Sequence, residues 1–210
     1  MLEESPARFF AAIGELEWYS RTHRHWIDDL GLRVRDRVLE VGCATGTLTA
    51  YLADNGYRVT GFDRSNAMIR QARNDHPDMD FSVGDATRLP YGDDTFDAVV
   101  AASVINVVSD GESVLSEMHR VCAPGGTVSI LVPSTDFTDD GFDALIESLG
   151  LEGFSRAALT KWHRSATKMS RSQLATLLAS AGFGPAVTHS YLDGMIIAPT
   201  VTVQRDRIAP

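Results

Sequence analysis

The feature that most constrains the fold is a regular alternation of short apolar runs with helical stretches between residues 37 and 133. Five runs of β-branched or aromatic residues are each bounded by Gly, Asp, Asn or Pro, which predicts buried strands. These runs cover residues 38–41, 58–62, 81–83, 96–101 and 127–132. The helical stretches cover residues 48–55, 65–74 and 112–122. The alternation predicts an α/β fold, with a mainly parallel sheet between two layers of helices.

The flanks break this rhythm. Residues 6–30 are predicted to be helical and rich in aromatic side chains, and residues 134–168 interrupt the strands with two further helices. Residues 170–181 then predict an amphipathic helix stopped by Gly182, followed by two last strands. We therefore expect one domain in four parts: a helical cap, a core, a cap insertion, and a C-terminal helix with strands, at 1–36, 37–133, 134–168 and 169–210.

Composition excludes several classes of protein. The 210 residues include 28 acidic and 19 basic residues, which gives a net charge of −9. This charge argues against a protein that binds the phosphates of nucleic acid. No apolar run approaches the roughly 20 residues that span a bilayer, and the N-terminus lacks the pattern of a secretory signal. Two cysteines predict neither a disulfide scaffold nor a metal cluster. We expect a soluble, cytoplasmic domain without a bound metal.

A glycine loop follows the first predicted strand. Gly42 and Gly46 let the backbone approach a ligand closely, and the amides of the next helix could receive a polar group. The dinucleotide pattern G-x-G-x-x-G fails, because Ala44 and Thr47 stand where it requires glycine, which disfavours a nicotinamide oxidoreductase. No Gly-Lys-Ser/Thr follows, so the loop is not a Walker A motif.

The pattern that fits is acid-x-Gly-x-x-x-Gly, and four further motifs follow it in order. They are an acid ending the second strand in 59–65, the stretch 83–86, the segment 89–97 and the turn 120–126. With this series, the sequence from 38 to 132 resembles the class I S-adenosylmethionine-dependent methyltransferases, especially their small-molecule branch, which includes quinone-modifying enzymes. The resemblance implies a Rossmann-like three-layer sandwich with seven strands. The last strand would be antiparallel and inserted between strands five and six.

The resemblance also implies S-adenosylmethionine as cofactor and S-adenosylhomocysteine as product. Asp63 would accept the ribose hydroxyls, Asp85 the adenine amino group, and Met68 would cover the adenine. The other readings are a turn acid for either aspartate and core packing for the methionine. Ala44 is a small departure from the family's glycine, and Cys43 is expected to offer only its backbone. The expected donor-binding residues are Glu40, Gly42, Cys43, Ala44, Gly46, Asp63, Arg64, Met68, Asp85, Ala86 and Ser103.

The acceptor should lie beyond the fourth strand, near Asn106, because ligands of open α/β sheets bind at strand carboxyl ends. An Asn-Pro-Pro-Tyr type motif is missing there, which argues against methylation of nucleic-acid bases. The candidates for catalysis are Tyr19, His23, His25, Asn106 and His163. The candidates for the acceptor pocket are Trp18, Tyr19, Trp26, Asn106 and Trp162.

Two histidines of the N-terminal cap stand only two residues apart, at His23 and His25, so on a helix they do not share a face. We expect the two cap segments to fold over the donor and enclose a small-molecule acceptor. The methylated atom (O, S, N or C) and the oligomeric state stay open. The alternative function is a non-catalytic protein of the same fold that binds the donor or its product.

Overall fold

The computed structural model describes residues 6–204, so residues 1–5 and 205–210 of the predicted cap and C-terminal part lie outside the described residues. Eight helices are found in this range: α1 Pro6–Gly14, α2 Glu17–Asp29, α3 Thr47–Asp54, α4 Asn66–Asp75, α5 Gly111–Val121, α6 Asp139–Ser148, α7 Gly153–Ser165 and α8 Arg171–Ser180. Seven strands accompany them: β1 Arg37–Val41, β2 Arg58–Asp63, β3 Asp80–Val83, β4 Phe96–Ala102, β5 Cys122–Pro133, β6 Val187–Tyr191 and β7 Ile196–Thr202.

All seven strands form one sheet in the order β3-β2-β1-β4-β5-β7-β6. The first five strands run parallel, whereas β7 lies antiparallel between β5 and β6. This confirms the predicted Rossmann-like fold, including the inserted last strand. In the register, Val41 pairs with Phe62 and with Ala101, and Asp63 pairs with Val83. The carboxyl ends of β1 to β4 therefore meet at one edge of the sheet.

A hydrophobic core covers each face of the sheet. On one face α5 and α8 pack through residues such as Leu115 and Leu174, and on the other α2, α3, α6 and α7 pack through residues such as Leu52 and Leu159. Trp26 of α2 is fully buried in the second core, and its indole Nε1 donates to Ser129 Oγ of β5 at 2.8 Å. Trp26, which was expected to line the acceptor pocket, is thus packed onto the sheet.

Helix boundaries follow local capping chemistry. Ser65 caps α4, because its Oγ accepts from the Met68 amide at 3.3 Å. Ser170 and Gln173 form a reciprocal capping box at the start of α8. The predicted N-terminal helix is divided in two, since Leu16 has extended backbone between α1 and α2. No helix within residues 6–204 is both long and apolar enough to cross a membrane.

Candidate functional site

The glycine loop between β1 and α3 folds back onto β2. The amides of Gly42 and Cys43 both donate to the Phe62 carbonyl, at 2.7 and 3.1 Å. Gly42 has φ 79°, and a Cβ at this residue would lie 2.2 Å from Cγ2 of Val104. Only glycine fits there. The segment after β4 therefore lies against the loop, and Ser103 anchors it by donating its amide to the Leu131 carbonyl at 2.7 Å.

Most loop amides are engaged inside the protein. The Ala44 amide donates to Asp63 Oδ2 at 3.0 Å, and the Gly46 amide donates to the Cys43 carbonyl at 2.9 Å. Together with the amides of Gly42 and Cys43, four amides of the loop therefore form hydrogen bonds within the protein. The Cys43 amide is therefore engaged by β2, and the expected role of the Cys43 backbone in donor binding stays a prediction. Burial raises the pKa of its thiol, which excludes it as a thiolate at neutral pH.

Ala44 adopts a conformation that the sequence did not indicate. Its φ is 48°, in the left-handed region that favours glycine. An L-residue there costs about 1–2 kcal/mol relative to the right-handed region. The hydrogen bond to Asp63 holds the strained residue in place. Ala44 therefore differs from a glycine at this position in its backbone conformational energy as well as in its side chain.

Asp63 lies at the end of β2 and is half-buried. Its Oδ1 accepts from the Ser65 amide at 2.8 Å, and its Oδ2 accepts from the Ala44 amide. Asp63 thus acts as a turn acid, which was one of the two interpretations that the sequence allowed. Each carboxylate oxygen has two lone pairs, however, so each keeps capacity for one more donor such as a ribose hydroxyl. The two roles are compatible.

Glu40, the fourth residue of β1, is a buried acid beneath the loop, with 4% of its surface exposed. Its Oε2 accepts from the Thr49 hydroxyl at 2.5 Å. Burial raises the pKa of Glu40 to about 7; the Thr49 hydrogen bond opposes this rise and the charge of Asp63 adds to it. In residues 6–204, neither carboxylate has a basic side chain within ion-pair distance.

The remaining donor-site candidates lie near the ends of β2 and β3. Asp85 is exposed, and its Oδ1 accepts from the Thr87 amide at 3.0 Å. This bond chiefly lowers the pKa of Asp85, and the charge of Arg64 adds a smaller lowering. Met68 is almost buried in the first turn of α4, while Ala86 is half-buried against the core. Carboxylates beside an apolar thioether fit S-adenosylmethionine, which carries hydroxyl and amino groups, a purine and positive charge.

The N-terminal cap brings Tyr19 close to Glu40, and His23 lies against Tyr19. Their rings lie 4.1 Å apart, and His23 Nδ1 lies 2.8 Å from the Tyr19 carbonyl, so Nδ1 carries the proton and donates. Burial raises the pKa of the Tyr19 hydroxyl, and the charge of Glu40 raises it further, which puts Tyr19 near Glu40. Burial lowers the pKa of His23 to about 4, so the ring is neutral. His25 is exposed, so only one of this histidine pair faces inward.

The two cap segments meet at a pair of tryptophans. Trp18 of α2 stacks on Trp162 of α7 with ring centroids 5.8 Å apart and planes 26° apart. Trp18 is buried, and its indole Nε1 has no hydrogen-bond partner in the described part of the chain. At the other end of the cap, Gly14 closes α1 against Thr47, because a Cβ there would lie 2.6 Å from Thr47 Oγ1. The cap thus reaches the first residue of α3.

His163 is buried but has no free ring nitrogen. Its Nε2 lies 2.9 Å from Asp139 Oδ1 and its Nδ1 lies 3.5 Å from Lys168 Nζ. The ring also stacks on Phe142 with centroids 4.3 Å apart. Both ring nitrogens thus have partners within the insertion, and the catalytic role of His163 stays a prediction. The residue borders an open cavity of about 450 Å³ that Arg164 also lines.

Asn106 joins the core to the end of the insertion. It is 8% exposed, and its Nδ2 donates to the Thr167 carbonyl at 3.0 Å. Its Oδ1 is buried without a hydrogen-bond partner among residues 6–204. Sequence reasoning missed this link to Thr167 and also the Thr49 partner of Glu40. A signal existed for Thr49 only in its place in the first turn of the helix after the loop. No cluster of three metal-binding side chains was found in the same range.

The comparisons with known proteins agree with this geometry. Residues 39–130 match the model of a methyltransferase domain family. A demethylmenaquinone methyltransferase from Beutenbergia cavernae is 43% identical over 112 residues, covering 53% of this chain and 47% of that protein. A phosphatidylethanolamine N-methyltransferase from Cereibacter sphaeroides is 43% identical over 101 residues, covering 45% and 49% respectively. The chain therefore spans about half the length of these curated relatives.

Among solved structures, a SAM-dependent methyltransferase from Aquifex aeolicus superposes with a TM-score of 0.67 at 18% identity. The superposition covers 92% of this chain and 97% of that one. At this identity the likeness shows a shared fold. It extends beyond the matched core into both flanks.

Proposed function

We propose that this chain is a class I methyltransferase that transfers a methyl group from S-adenosylmethionine to a small-molecule acceptor. The observation that carries the proposal is the pair of acids around the glycine loop. Glu40 lies beneath the loop, and Asp63 holds it while keeping lone pairs for a ligand. Both lie within the part of the chain that matches the family model.

When bound, the donor supplies an activated methyl group on a sulfonium. In the reaction the carbon–sulfur bond breaks, a bond from the acceptor to carbon forms, and a protonated acceptor loses its proton. The residues of the chain would mainly position the two reactants and exclude water, which lowers the barrier because the entropy of bringing the reactants together is lost on binding. Asp63 would bind the ribose hydroxyls and Met68 would cover the adenine. The stacked pair of buried Trp18 and half-buried Trp162 would exclude water from the acceptor side.

His23 is the best-placed residue to receive a hydrogen bond from the acceptor. Because Nδ1 donates to the Tyr19 carbonyl, Nε2 carries the lone pair, and it has no partner in the described chain. A ring whose pKa is lowered to about 4 is a weak base, so it suits an acceptor that ionises readily rather than an alcohol. His25 points to solvent and His163 is engaged, which leaves His23 alone among the three candidates.

We further propose a quinone-type or phenolic ring as the acceptor. The demethylmenaquinone methyltransferase among the relatives supports this class, and the cap offers the aromatic side chains of Trp18, Tyr19 and Trp162 for packing on a ring. The acidic net charge and the missing base-methylation motif favour a diffusible acceptor over nucleic acid. A cytoplasmic location remains a prediction.

Incubation with methyl-labelled S-adenosylmethionine and a panel of quinols, phenols and thiols tests this function. We expect label transfer to at least one ring hydroxyl or ring carbon. Asp63→Ala should lower donor affinity by about 10- to 100-fold in calorimetry, because hydrogen bonds to a charged group contribute about 1.5–3 kcal/mol. Asp78→Ala, an exposed acid on the loop before β3, is the matched control. Donor binding without transfer to any acceptor would instead favour the non-catalytic alternative.

A further inference from the structure

We infer that Glu40 and Thr49 form a buried proton-binding pair that selects the cationic donor over its product and releases a proton when the donor binds. The inference rests on the proposed function, because it takes S-adenosylmethionine as the ligand of this site. It goes further by assigning a charge-dependent preference to two named side chains.

The geometry begins with the placement of the carboxyl group. Glu40 is 96% buried, and Thr49 holds one of its oxygens, Oε2, through the hydroxyl. The main-chain amide of Thr49, in the first turn of α3, also faces the carboxylate. In residues 6–204 no basic side chain lies within ion-pair distance of this carboxylate. A fixed, buried acid without a cationic partner is therefore present beside the glycine loop.

The groups facing this acid give it no positive charge. From α2 comes the Tyr19 hydroxyl, from β2 the Asp63 carboxylate, from the loop the Cys43 thiol, and from α3 the Thr49 hydroxyl. Each of these groups is neutral or acidic. The raised pKa of Glu40, about 7, follows from burial with such neighbours, so about half of the molecules hold the proton at pH 7.

A bound cation reverses this balance. An opposite charge within a few ångströms favours the ionised carboxylate and lowers its pKa. The donor carries a sulfonium in addition to the ammonium and carboxylate that it shares with the product. Donor binding should therefore expel the proton more completely than product binding does. Below pH 7 the proton competes with the donor, so donor affinity falls as the pH falls, by up to about tenfold per pH unit.

Calorimetric titration with donor and with S-adenosylhomocysteine, at pH 6, 7 and 8, tests the inference. Running each titration in phosphate and in Tris, which differ in ionisation enthalpy, counts the protons released. We expect the donor to release roughly half a proton at pH 7 and the product clearly less. Donor affinity should rise about tenfold from pH 6 to pH 8, and the donor-to-product affinity ratio should rise with it.

Three variants isolate the pair. Glu40→Gln should abolish the difference in proton release between donor and product. Thr49→Val removes the hydrogen bond that opposes the pKa rise, so the midpoint of the affinity curve should move to higher pH. Thr49→Ser keeps the hydroxyl and should leave that midpoint near its original value. The threonine variants keep the inference testable if Glu40→Gln fails to fold.

The outcomes separate this inference from the proposed function. Equal proton release with donor and product, or donor affinity independent of pH in the unaltered protein, would overturn the inference alone. Failure of both ligands to bind would overturn the proposed function and the inference together. A midpoint unmoved by Thr49→Val would remove Thr49 from the pair.

Discussion

Replacing Ala44 with glycine should stabilise this protein, against the usual effect of introducing glycine. Ala44 has φ 48°, and holding an L-residue there costs about 1–2 kcal/mol. Glycine removes this cost but adds about 0.5–1 kcal/mol of backbone entropy to the unfolded chain. The Ala44 amide keeps its bond to Asp63 in either case. The net expectation for Ala44→Gly is a gain of about 0.5–1 kcal/mol in the free energy of unfolding.

Thermal unfolding followed by calorimetry gives the measurement. For a chain of this size, 1 kcal/mol corresponds to a shift of roughly 2–4 °C in Tm. Ala44→Gly should therefore raise Tm by about 1–4 °C. The matched control is Ala50→Gly, since residue 50 lies inside α3, where glycine costs about 1 kcal/mol and should lower Tm by roughly 2–4 °C. If both variants lowered Tm alike, the strain assigned to Ala44 would be refuted.

Two further perturbations test the cores and the cap. Trp26→Phe leaves the buried Ser129 hydroxyl without its indole donor and should lower the free energy of unfolding by about 1–3 kcal/mol in urea titrations; an unchanged midpoint would contradict the packing assigned to Trp26. Because the pKa of His23 is lowered to about 4, its stability contribution is present above about pH 6.5 and lost as the pH falls towards 4. His23→Gln should therefore flatten the acid side of the stability profile, and a profile as steep as that of the unaltered protein would argue against a buried neutral ring.

The fold could be predicted from local patterns, whereas much of the site could not. Alternating runs and ordered motifs give the strands, and Ser65 carries its own capping signal in the adjacent sequence. The sequence could not show the hydrogen-bond partners of Trp26 and His163, because these partners lie 103 and 24 residues away, at Ser129 and Asp139. The residues that neighbour an aromatic or histidine side chain in the sequence do not show whether its polar atom has a hydrogen-bond partner from a distant part of the chain.

The hydrogen bonds of the glycine-loop backbone could not be predicted from the sequence either. The motif correctly marks the turn between β1 and α3, but it does not show that the amides of Gly42 and Cys43 are used by the Phe62 carbonyl. With these amides engaged, we expect the side chains of Asp63 and Glu40 to bind the donor. The Asp63 carboxylate keeps lone pairs for further hydrogen bonds, and the carboxyl group of Glu40 can hold a proton, because burial raises its pKa to about 7.

Under the proposed function, acceptor selectivity should depend on how three segments are held together. The cap and the insertion meet where Trp18 stacks on Trp162, and the insertion is tied to the core where Asn106 donates to the Thr167 carbonyl. The matched family region ends at residue 130, so the insertion lies wholly outside it and the cap lies before its start at residue 39. We expect these two segments to select the acceptor, because relatives that match about half of this chain are named for different reactions, as a demethylmenaquinone methyltransferase and a phosphatidylethanolamine N-methyltransferase.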